Sequence, residues 1–508
     1  MKKIEEIKGL LIYPPTQLME RETARPEGSM GPPYLASSLE KEGIKTDILD
    51  ATVGTKEHKL KETLYRMIRQ DNGLIRVGMS FEEITEHVVK KEYDFVGLSA
   101  IHTMQTRMVF ETAKAIKNAN PEIKIYAGGT SARSLYEKFL KTGLFDGICM
   151  TEGELIFPRA IKAHFSRKTL HNIPGFAFMH NNEIIVNEVD STCFPKSLDD
   201  LPMPAWEKLP LDKYEEAAAP HGVDITEKKE NRYANILTSR GCVNNCLYCH
   251  ISTEKDSIGR YRLHSVNRVI QEIDKLKSMG VKKLFFEDDT LFAAKQRAKE
   301  IFSIVKDRDL IILDVNGVNI SNYYLRKEDG CLEIDKEFIQ ILKDAGFEQI
   351  VFPPESGSQR ILDKYSSCKI NLEKMNLVEL VKTLTEIGIK APVNLMFGFP
   401  DETEEEIMKT IQLGFDLKKA GAPYVSFFFP TPFPGSKLYE IALQEGYLDK
   451  DFNTDTMTHK LVVMKNMKVS PERLMEIREK SHIEINGKDF DERMYKRTVG
   501  YKLEHEKD

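Results

Sequence analysis

Short apolar strand patterns alternate with helical patterns twice along this chain, and that alternation constrains the fold more than any other feature. The first series runs from Leu10 to about Phe157, and the second from Ala234 to Phe429. Strands that alternate with helices predict parallel sheets. The predicted strands of the first series are Leu10–Tyr13, Thr46–Asp50, Phe95–Ala100, Ile123–Ala127 and Gly147–Met150. We therefore expect an α/β protein that begins with a doubly wound, Rossmann-like parallel sheet.

The second series predicts six strand–helix units. Its predicted strands are Ala234–Thr238, Lys283–Glu287, Leu310–Val315, Gln349–Pro353, Pro392–Phe397 and Tyr424–Phe429. Six units are too few to close an eight-stranded TIM barrel, so we expect a partial (β/α)6 barrel with an open side. Catalytic groups of such barrels lie at the carboxyl ends of the strands.

Three of the seven cysteines fall within eight residues, directly after the first strand of the second series. Cys242, Cys246 and Cys249 have the spacing Cys-x3-Cys-x2-Cys. A cubane iron–sulfur cluster normally takes four thiolates, so three would leave one iron open to an outside ligand. Zinc is the alternative, because His250 could complete a Cys3His set, although structural zinc sites usually use Cys-x2-Cys pairs. The spacing favours a cluster and leaves zinc open.

This loop, with Tyr248 as the aromatic residue before the last cysteine, resembles that of the radical S-adenosylmethionine (SAM) superfamily. The resemblance implies a [4Fe-4S] cluster on Cys242, Cys246 and Cys249, with Tyr248 beside it. Its open iron would bind the amino and carboxylate groups of SAM, and an electron would cleave SAM to a 5′-deoxyadenosyl radical. An electron donor such as a flavodoxin or ferredoxin is also implied.

Polar residues follow several predicted barrel strands, where SAM would bind. The acids after the second strand are suited to the ribose hydroxyls or the ammonium group of SAM, and the segment after the fourth resembles the family's Glu-Ser-Gly-Ser sequence. Thr403, by contrast, predicts a helix cap. The predicted SAM-binding residues are Glu287, Asp288, Glu355, Ser356 and Gly398.

Unusual residues also end the strands of the first series. They are Tyr13, Pro14, Ser99, Gly128, Gly129, Thr130, Glu152 and Gly153. Because such ends share one edge of a parallel sheet, they predict a binding site. Neither Gly-x-Gly-x-x-Gly nor a Walker A loop is present, which argues against a dinucleotide or nucleoside triphosphate.

The order of these loops resembles the cobalamin (B12)-binding domain found upstream of the radical SAM core in one large subgroup. Those residues are then expected to bind cobalamin. The chain lacks the Asp-x-His-x-x-Gly motif that supplies a cobalt-ligating histidine in domains of the methionine-synthase type. The lower face of cobalt is therefore expected to be capped by water or by a residue of the Thr16–Gly31 loop, in preference to His102.

A chain of 508 residues exceeds what one hydrophobic core usually supports. We expect a cobalamin-binding domain at 1–160, a connector at 161–232, the partial barrel at 233–437 and a C-terminal helical cap at 438–508. The connector is rich in proline and holds the only tryptophan, Trp206, which we interpret as an anchor.

Composition excludes several classes of partner. Net charge is −6 with lysine and arginine interleaved among acids, so nucleic acid is not expected. No apolar run approaches the ~20 residues that span a bilayer, and acids near the N-terminus argue against a signal peptide. The other cysteines lack pair spacing, which favours a reducing cytoplasm.

These features together predict a cobalamin-dependent radical SAM enzyme that methylates an unactivated carbon of a small molecule or biosynthetic intermediate. The resemblance implies a 5′-deoxyadenosyl radical and methylcobalamin as the reactive species. One alternative is an oxidative cyclisation or rearrangement, as in B12-dependent tetrapyrrole cyclases. Another is a non-catalytic corrinoid-binding or sensor protein. A methylthiotransferase is disfavoured, because those enzymes need three further N-terminal cysteines and none precedes Cys149.

Overall fold

A computed structural model describes residues 2–20, 22–218, 224–226, 231–251, 261–314 and 316–496. The chain forms two compact units, Met1–His221 and Gly222–Met494. Val315, which was expected to end a strand, and residues 497–508 of the expected C-terminal cap lie outside the described residues.

The first unit contains ten strands and seven helices among its described residues. Its strands are β1 Lys8–Tyr13, β2 Thr16–Leu18, β3 Lys45–Asp50, β4 Ile68–Arg69, β5 Ile75–Val77, β6 Phe95–Ser99, β7 Lys124–Gly128, β8 Gly147–Cys149, β9 Phe176–His180 and β10 Glu183–Val186. Its helices are α1 Gly31–Lys41, α2 Phe81–Lys90, α3 Thr106–Ala119, α4 Thr130–Ser134, α5 Tyr136–Lys141, α6 Gly153–Phe165 and α7 Leu211–Ala217.

The main sheet of this unit has the strand order β10-β9-β8-β7-β6-β1-β3. Strands β3, β1, β6, β7 and β8 are parallel, in the doubly wound order 2-1-3-4-5. The winding direction reverses between β1 and β6, and such sheets bind ligands in the crevice at the carboxyl ends of those two strands. The predicted Rossmann-like sheet is confirmed.

Apolar side chains cover both faces of the main sheet. Ile84 of α2, Ala113 of α3 and Phe139 of α5 are buried on one face, and Leu39 of α1 and Phe157 of α6 on the other. Burial of each large side chain stabilises the fold by about 1.5–3 kcal/mol. The spacing of these residues on their helices is therefore what fixes the two helical layers against the sheet.

The main sheet continues beyond the residue at which the connector was expected to begin. Strand β9 pairs antiparallel with β8, with Ala177 opposite Ile148, and β10 pairs with β9. The placement of these strands in a connector starting at residue 161 is thus corrected. Trp206 further along is fully buried, and the neighbouring Ala205 N–H donates to the Pro33 carbonyl at 3.1 Å, so this segment is held against α1.

The second unit contains eleven strands and nine helices among its described residues. Its strands are β11 Tyr233–Ile236, β12 Ser239–Arg240, β13 Arg262–Leu263, β14 Lys283–Phe286, β15 Ile311–Asp314, β16 Tyr324–Arg326, β17 Leu332–Ile334, β18 Phe347–Gln349, β19 Phe352–Glu355, β20 Val393–Met396 and β21 Val425–Phe428. Its helices are α8 Val266–Ser278, α9 Lys295–Val305, α10 Lys336–Asp344, α11 Gln359–Tyr365, α12 Leu377–Ile387, α13 Glu404–Lys419, α14 Lys437–Gln444, α15 Pro471–Asn486 and α16 Phe490–Lys496.

Six strand positions of this unit form the partial barrel. Strands β11, β14, β15 and β18 pair in parallel, as do β19, β20 and β21, and a bridge between Gln349 and Lys390 links the two sets. The fourth position is split between β18 and β19 at Ile350 and Val351, where the Val351 N–H donates to the Asp314 carboxylate at 3.2 Å. In the described chain β11 and β21 are not paired with each other, so the barrel is open on that side.

Two aromatic contacts define the inner and outer faces of the barrel wall. The ring of Phe286 lies 5.6 Å from that of Phe302 on helix α9, whereas the ring of Phe285 lies 5.4 Å from that of Tyr233 on strand β11. Successive side chains of a strand point to opposite faces. Residues that share the side of Phe286 therefore face the helices, and residues that share the side of Phe285 face the barrel interior.

A short segment closes the amino-terminal end of the barrel. Asp224 accepts an ion pair at 2.6 Å from Lys283, the first residue of β14. The Ile225 N–H donates to Gln349 Oε1 at 3.0 Å, and Lys390 Nζ donates to the Ile225 carbonyl at 2.8 Å. Both charges of the ion pair are mostly buried, so this floor is a specific element of the barrel.

The segment between α14 and α15 lies at the carboxyl ends of the last two barrel strands. The Phe429 N–H, just after β21, donates to the His459 carbonyl at 2.8 Å, and the Lys468 N–H donates to the Pro400 carbonyl at 3.0 Å. In the described part of the chain, no helix is long and apolar enough to cross a membrane.

Candidate active site

The cysteine loop is fixed to elements that are distant in sequence. The Leu247 N–H donates to the Tyr365 carbonyl at the end of α11 (2.9 Å), and the Leu438 N–H of α14 donates to the Leu247 carbonyl (2.7 Å). At its start, the Gly241 N–H donates to the carboxylate of Asp289, just beyond β14, at 2.9 Å. Backbone hydrogen bonds thus hold both the beginning and the middle of the loop.

Apolar packing places the loop at the carboxyl ends of the fifth and sixth strands. Leu247 and Tyr248 pack against an apolar cluster that includes Met396, the last residue of β20. Phe428, the last residue of β21, packs against the same cluster. The ring of Tyr248 also lies 6.0 Å from that of Phe399. This end of a barrel is the one at which parallel barrels carry their catalytic groups.

The three cysteines of the loop form no disulfide, and two of their thiols are held in the neutral form. Burial raises the pKa of the Cys246 thiol, and raises that of Cys249 to about 12. Cys242 Sγ accepts hydrogen bonds from the backbone and side-chain nitrogens of Asn244, at 3.4 and 3.6 Å. Desolvated thiols become thiolates when a metal coordinates them, so this donor set fits an iron–sulfur cluster.

The geometry does not support the zinc alternative. Among the described residues, no group of three or more Cys, His, Asp or Glu side chains is placed to hold one metal ion. A zinc site requires its ligands to converge on a single ion, with Zn–S distances of about 2.3 Å. The thiolates of a cubane cluster each bind a different iron, so they do not need to converge in this way.

A buried ion pair lies next to the cysteine loop. Lys369 Nζ is 2.6 Å from Glu355 Oε1, and both side chains are largely buried. Burial disfavours the charged amine, but Glu355 and the Cys246 thiol outweigh it and raise the pKa of Lys369. Glu355 has φ +66°, a left-handed conformation that non-glycine residues adopt only when their surroundings impose it. Glu355 was predicted from its motif, whereas Lys369 was not, because no motif links Lys369 to a residue fourteen positions before it.

The Glu-Ser-Gly-Ser segment is packed directly on helix α13. The Ser356 hydroxyl lies 3.0 Å from the hydroxyl of Thr410, and the Gly357 N–H donates to that Thr410 hydroxyl at 3.0 Å. A Cβ at Gly357 would stand 2.3 Å from the Lys409 carbonyl oxygen, so only glycine fits. The predicted contact of Ser356 with SAM stays a prediction, since its hydroxyl is engaged within the protein.

The two acids after the second barrel strand point in opposite directions. Glu287 shares the inner face with Phe285, is partly exposed, and accepts a hydrogen bond from Asn235 Nδ2 at 2.7 Å. Asp288 is fully buried on the other face, where it accepts hydrogen bonds from the backbone and hydroxyl of Thr238. Burial raises the pKa of Asp288, although these donors oppose the rise. The structure therefore brings Glu287, but not Asp288, to the barrel interior.

Gly398 begins a loop that a buried carboxyl group organises. The N–H groups of Gly398 (φ +93°) and Phe399 donate to Glu402 Oε2 at 2.6 and 3.1 Å. Burial raises the pKa of Glu402 to about 8. Thr403 caps α13 as predicted, accepting a hydrogen bond from the Glu406 N–H.

The predicted corrinoid-binding residues lie at one edge of the main sheet in the first unit. Tyr13 ends β1, with Pro14 after it, and its hydroxyl donates to the Ser29 carbonyl. Ser99 ends β6, the other strand of the crevice. The carboxyl ends of β7 and β8 are followed by Gly128-Gly129-Thr130 and Glu152-Gly153.

The glycines at this edge have distinct structural roles. Gly129 has φ +99°, and a Cβ there would stand 2.7 Å from the Ala100 carbonyl oxygen. A Cβ at Gly128 would meet no atom nearer than 3.9 Å, so the space above Gly128 is open. A flat macrocycle can approach a backbone without side chains closely, and this edge therefore fits a corrinoid.

Charged residues that the sequence analysis did not select also reach this edge. Glu27, in the loop before α1, lies 3.9 Å from His102, and burial raises the pKa of Glu27. Asp50, at the end of β3, accepts a hydrogen bond from the Tyr214 hydroxyl at 2.8 Å. Burial also lowers the pKa of Arg133 to about 10, with Glu152 opposing the change.

Comparison with known families defines the class of protein. The radical SAM superfamily matches residues 236–414, and the B12 binding domain matches residues 26–161. The chain thus carries a radical SAM domain in its second half and a B12-binding domain upstream of it. Its cofactors are a [4Fe-4S] cluster, SAM and cobalamin.

Individual relatives narrow this class. An uncharacterized methyltransferase of Pyrococcus horikoshii is 29% identical over 448 residues, which cover 87% of this chain and 84% of that protein. The cytidylyl-2-hydroxyethylphosphonate methyltransferase of Streptomyces wedmorensis is 25% identical over 483 residues, covering 89% of this chain and 85% of that one. Over most of its length, the chain is therefore similar to proteins that are named as methyltransferases.

Solved structures share the fold. The radical SAM methyltransferase TsrM from Kitasatospora setae, with tryptophan and a SAM analogue bound, has a TM-score of 0.61 at 17% identity and covers 87% of this chain and 76% of its own. The cobalamin-dependent SAM radical enzyme OxsB, with aqua-cobalamin and SAM bound, has a TM-score of 0.62 at 16% identity and covers 96% of this chain and 64% of its own.

Proposed function

We propose that this protein methylates an unactivated carbon of a small-molecule substrate, using SAM both as methyl source and as radical source. The observation that carries the proposal is the three-cysteine loop packed over the carboxyl ends of the barrel strands, in a chain that also has a B12-binding sheet. Two methyltransferases that match the chain over more than four fifths of their length support methyl transfer as the outcome.

The chain's own residues bind, orient and protect the reacting groups. When bound, the cluster and SAM supply a 5′-deoxyadenosyl radical, and cobalamin supplies the methyl group. Cys242, Cys246 and Cys249 hold the cluster, while Lys369 fixes Glu355 beside it at 2.6 Å. Leu247, Tyr248, Met396 and Phe428 surround the loop with apolar atoms, which keep water away from a radical centre. A small acidic electron-transfer protein, such as a flavodoxin or ferredoxin, would deliver electrons in the cytoplasm.

Replacing all three cluster cysteines tests the radical step. The C242A/C246A/C249A protein, purified and reconstituted without oxygen, should form no 5′-deoxyadenosine, while its cobalamin absorption spectrum should match that of the wild type. Cys331→Ala is the matched control, since Cys331 is exposed and lies outside the loop. Formation of 5′-deoxyadenosine by the triple variant at the wild-type rate would refute the assignment.

Labelled SAM separates methylation from the other outcomes. With methyl-labelled SAM, a methyltransferase places the label in its product, whereas a cyclase or rearrangement enzyme leaves the label in the methionine that SAM cleavage releases. Iron and sulfide analysis of the wild-type protein tests the non-catalytic alternative. A corrinoid-binding protein without catalytic function would be folded yet free of iron after anaerobic reconstitution.

A further inference from the structure

The inner faces of the fifth and sixth barrel strands can be identified from their packing. A Cβ on Gly414 of helix α13 would meet Leu395 of β20 and Phe427 of β21, each at 3.2 Å, so these two residues face the helices. Side chains alternate along a strand. Asn394 and Met396 of β20, and Ser426 and Phe428 of β21, therefore face the barrel interior.

Two uncharged polar residues stand side by side on this inner face. Asn394 is the direct partner of Ser426 in the parallel ladder between β20 and β21. Both are partly exposed, whereas the outward-facing Val393, Leu395, Val425 and Phe427 are buried. Water-sized space therefore reaches Asn394 and Ser426 from inside the barrel.

Among the residues that the structure describes, the side chains of Asn394 and Ser426 form no hydrogen bond. Both are partly exposed, so water satisfies their polar atoms until a ligand replaces it. The unused donors and acceptors are therefore available to a ligand.

The position of this pair matches a ligand that extends from the cluster into the barrel. Met396 and Phe428 lie two residues beyond Asn394 and Ser426 on the same faces, and they share one apolar cluster with Leu247 and Tyr248 of the cysteine loop. At ~3.3 Å per residue, the pair lies about 7 Å deeper in the barrel than Met396 and Phe428.

The charges around this pair indicate the chemistry of the ligand. Across the barrel, the inner face of β11 and β14 presents Asn235 and the carboxylate of Glu287. Two lysines are described at the floor of the barrel, and both amines are engaged there: that of Lys283 is paired with Asp224 at 2.6 Å, and that of Lys390 donates to the Ile225 carbonyl at 2.8 Å. Among the described residues of these four strands, a phosphate or phosphonate group, which needs cationic partners, would therefore find an acid and neutral groups beside Asn394 and Ser426.

We propose that Asn394 and Ser426 form a substrate subsite that binds an uncharged hydroxyl- or amide-bearing group and does not accept a phosphate or phosphonate. The inference rests on the proposed radical chemistry. It assigns to this chain a substrate class different from the phosphonate that appears in the name of its Streptomyces relative. Asn394 offers both a donor and an acceptor, and Ser426 offers a hydroxyl, so one such group can bind both residues.

Isotope transfer from small probes tests the subsite in the reconstituted holoenzyme. The 5′-deoxyadenosyl radical takes a hydrogen atom from a molecule held next to it. We expect perdeuterated glycerol to place deuterium in 5′-deoxyadenosine in a saturable manner, and perdeuterated ethylphosphonate not to do so. In the N394L/S426A protein, the half-saturating glycerol concentration should rise about tenfold, as the loss of one or two hydrogen bonds predicts.

Control variants and the SAM dependence make the result specific. Gln412→Ala, on the exposed side of α13, should leave the glycerol dependence unchanged. If N394L/S426A folds poorly, Asn394→Asp replaces it, because aspartate has the same size as asparagine. Equal transfer from ethylphosphonate and glycerol, or an unchanged glycerol dependence in N394L/S426A, would overturn the proposal. An equal rise in the half-saturating SAM concentration would assign the pair to the ribose of SAM and also overturn it.

A crystal soak decides the question without radical chemistry. Crystals of the wild-type protein soaked in acetamide should show the amide within hydrogen-bond distance of Asn394 and Ser426, and crystals of N394L/S426A should not. A subsite without acetamide in the wild type would refute the inference. Failure of the proposed function has a different signature, which is the absence of 5′-deoxyadenosine from the wild-type enzyme in every reaction.

Discussion

Lys369 and Glu355 join two buried charges beside the cluster loop. Their separation of 2.6 Å and the positive φ of Glu355 show that the carboxylate is held in one position. A lysine that fixes an acid in this way determines where the acid meets a ligand. The predicted contact of Glu355 with SAM would therefore depend on this ion pair.

Removal of one partner should cost much more than removal of both. Lys369→Met leaves the Glu355 carboxylate buried without compensation, and we expect a loss of about 3–5 kcal/mol in the free energy of unfolding. E355Q/K369M should lose less than the sum of the two single variants, because the neutral pair needs no compensation. Urea unfolding measures all three, with Lys382→Met on the exposed face of α12 as the control. Additive losses would show that the pair does not act as a unit.

The buried carboxyl group of Glu402 makes the Gly398 loop sensitive to pH. Its pKa is about 8 in the folded protein and its ordinary value is 4.5. The folded state therefore holds a proton that the unfolded chain releases, so this stabilisation is fully present below about pH 4.5 and is lost as the pH rises to about 8.

Glu402→Gln should remove this pH dependence while keeping an oxygen to accept the Gly398 and Phe399 N–H groups. We expect the stability of the wild type to fall relative to E402Q between pH 5 and 8, by on the order of 1–3 kcal/mol. Urea unfolding at several pH values measures the difference in the free energy of unfolding between the two proteins. The contributions of the other titrating groups are common to both proteins and cancel in this difference. Parallel pH curves for the two proteins would contradict the prediction.

The sequence predicts the chemical type of a site residue better than the direction in which its side chain points. Both Glu287 and Asp288 were expected to contact SAM, although neighbouring residues of a strand cannot face the same side. Only packing, such as that of Phe285 on Tyr233, shows which acid faces inward. Lys369 could not be found from the sequence, because its pairing with Glu355 depends on the folded path of the chain between these two residues.

At the scale of elements, close contact between the Glu-Ser-Gly-Ser segment and α13 fixes the fourth strand against the barrel wall. Gly357→Ala would push a methyl group to 2.3 Å from the Lys409 carbonyl. We expect a loss of about 1–3 kcal/mol in the free energy of unfolding, as for other overpacked sites. Gly31→Ala is the matched control, because no atom lies within 4 Å of its added Cβ. Equal melting temperatures of the two variants would refute the predicted contact.

Elements were predicted well where the apolar pattern was regular and poorly where it was interrupted. The five parallel strands of the first sheet and the six strand positions of the barrel follow the sequence pattern. The fourth barrel strand is split into β18 and β19 at Val351, whose N–H donates to the carboxylate of Asp314, and no local pattern in the sequence shows that distant contact. The pairing of β9 with β8 could not be predicted, because the sequence does not show which strand edge of the first sheet is available for a later strand.

At the scale of the whole molecule, the chain keeps its two sets of binding residues in separate compact units. The corrinoid edge is built from residues of the first unit, and the cysteine loop with its ion pair from residues of the second. Each set is completed by contacts within its own unit. Damage to one should therefore leave the other able to bind its cofactor.

Gly129→Ala tests this independence from the side of the first unit. Its added Cβ would stand 2.7 Å from the Ala100 carbonyl, so we expect cobalamin affinity to fall about tenfold or more. Iron content and 5′-deoxyadenosine formation should remain at wild-type levels. Gly143→Ala also has a positive φ but no atom within 4 Å, and it controls for backbone strain. A parallel loss of iron in G129A would disprove the independence.

The anchoring of the cysteine loop also has a consequence for biosynthesis. The loop receives hydrogen bonds at Leu247 from Leu438, a residue that the ribosome adds almost two hundred positions later. The thiols therefore reach their final arrangement only after the sixth strand and helix α14 have emerged and docked. Iron–sulfur delivery to this protein is expected to follow synthesis of nearly the entire chain, so the assembly machinery would meet a finished barrel and not a nascent loop.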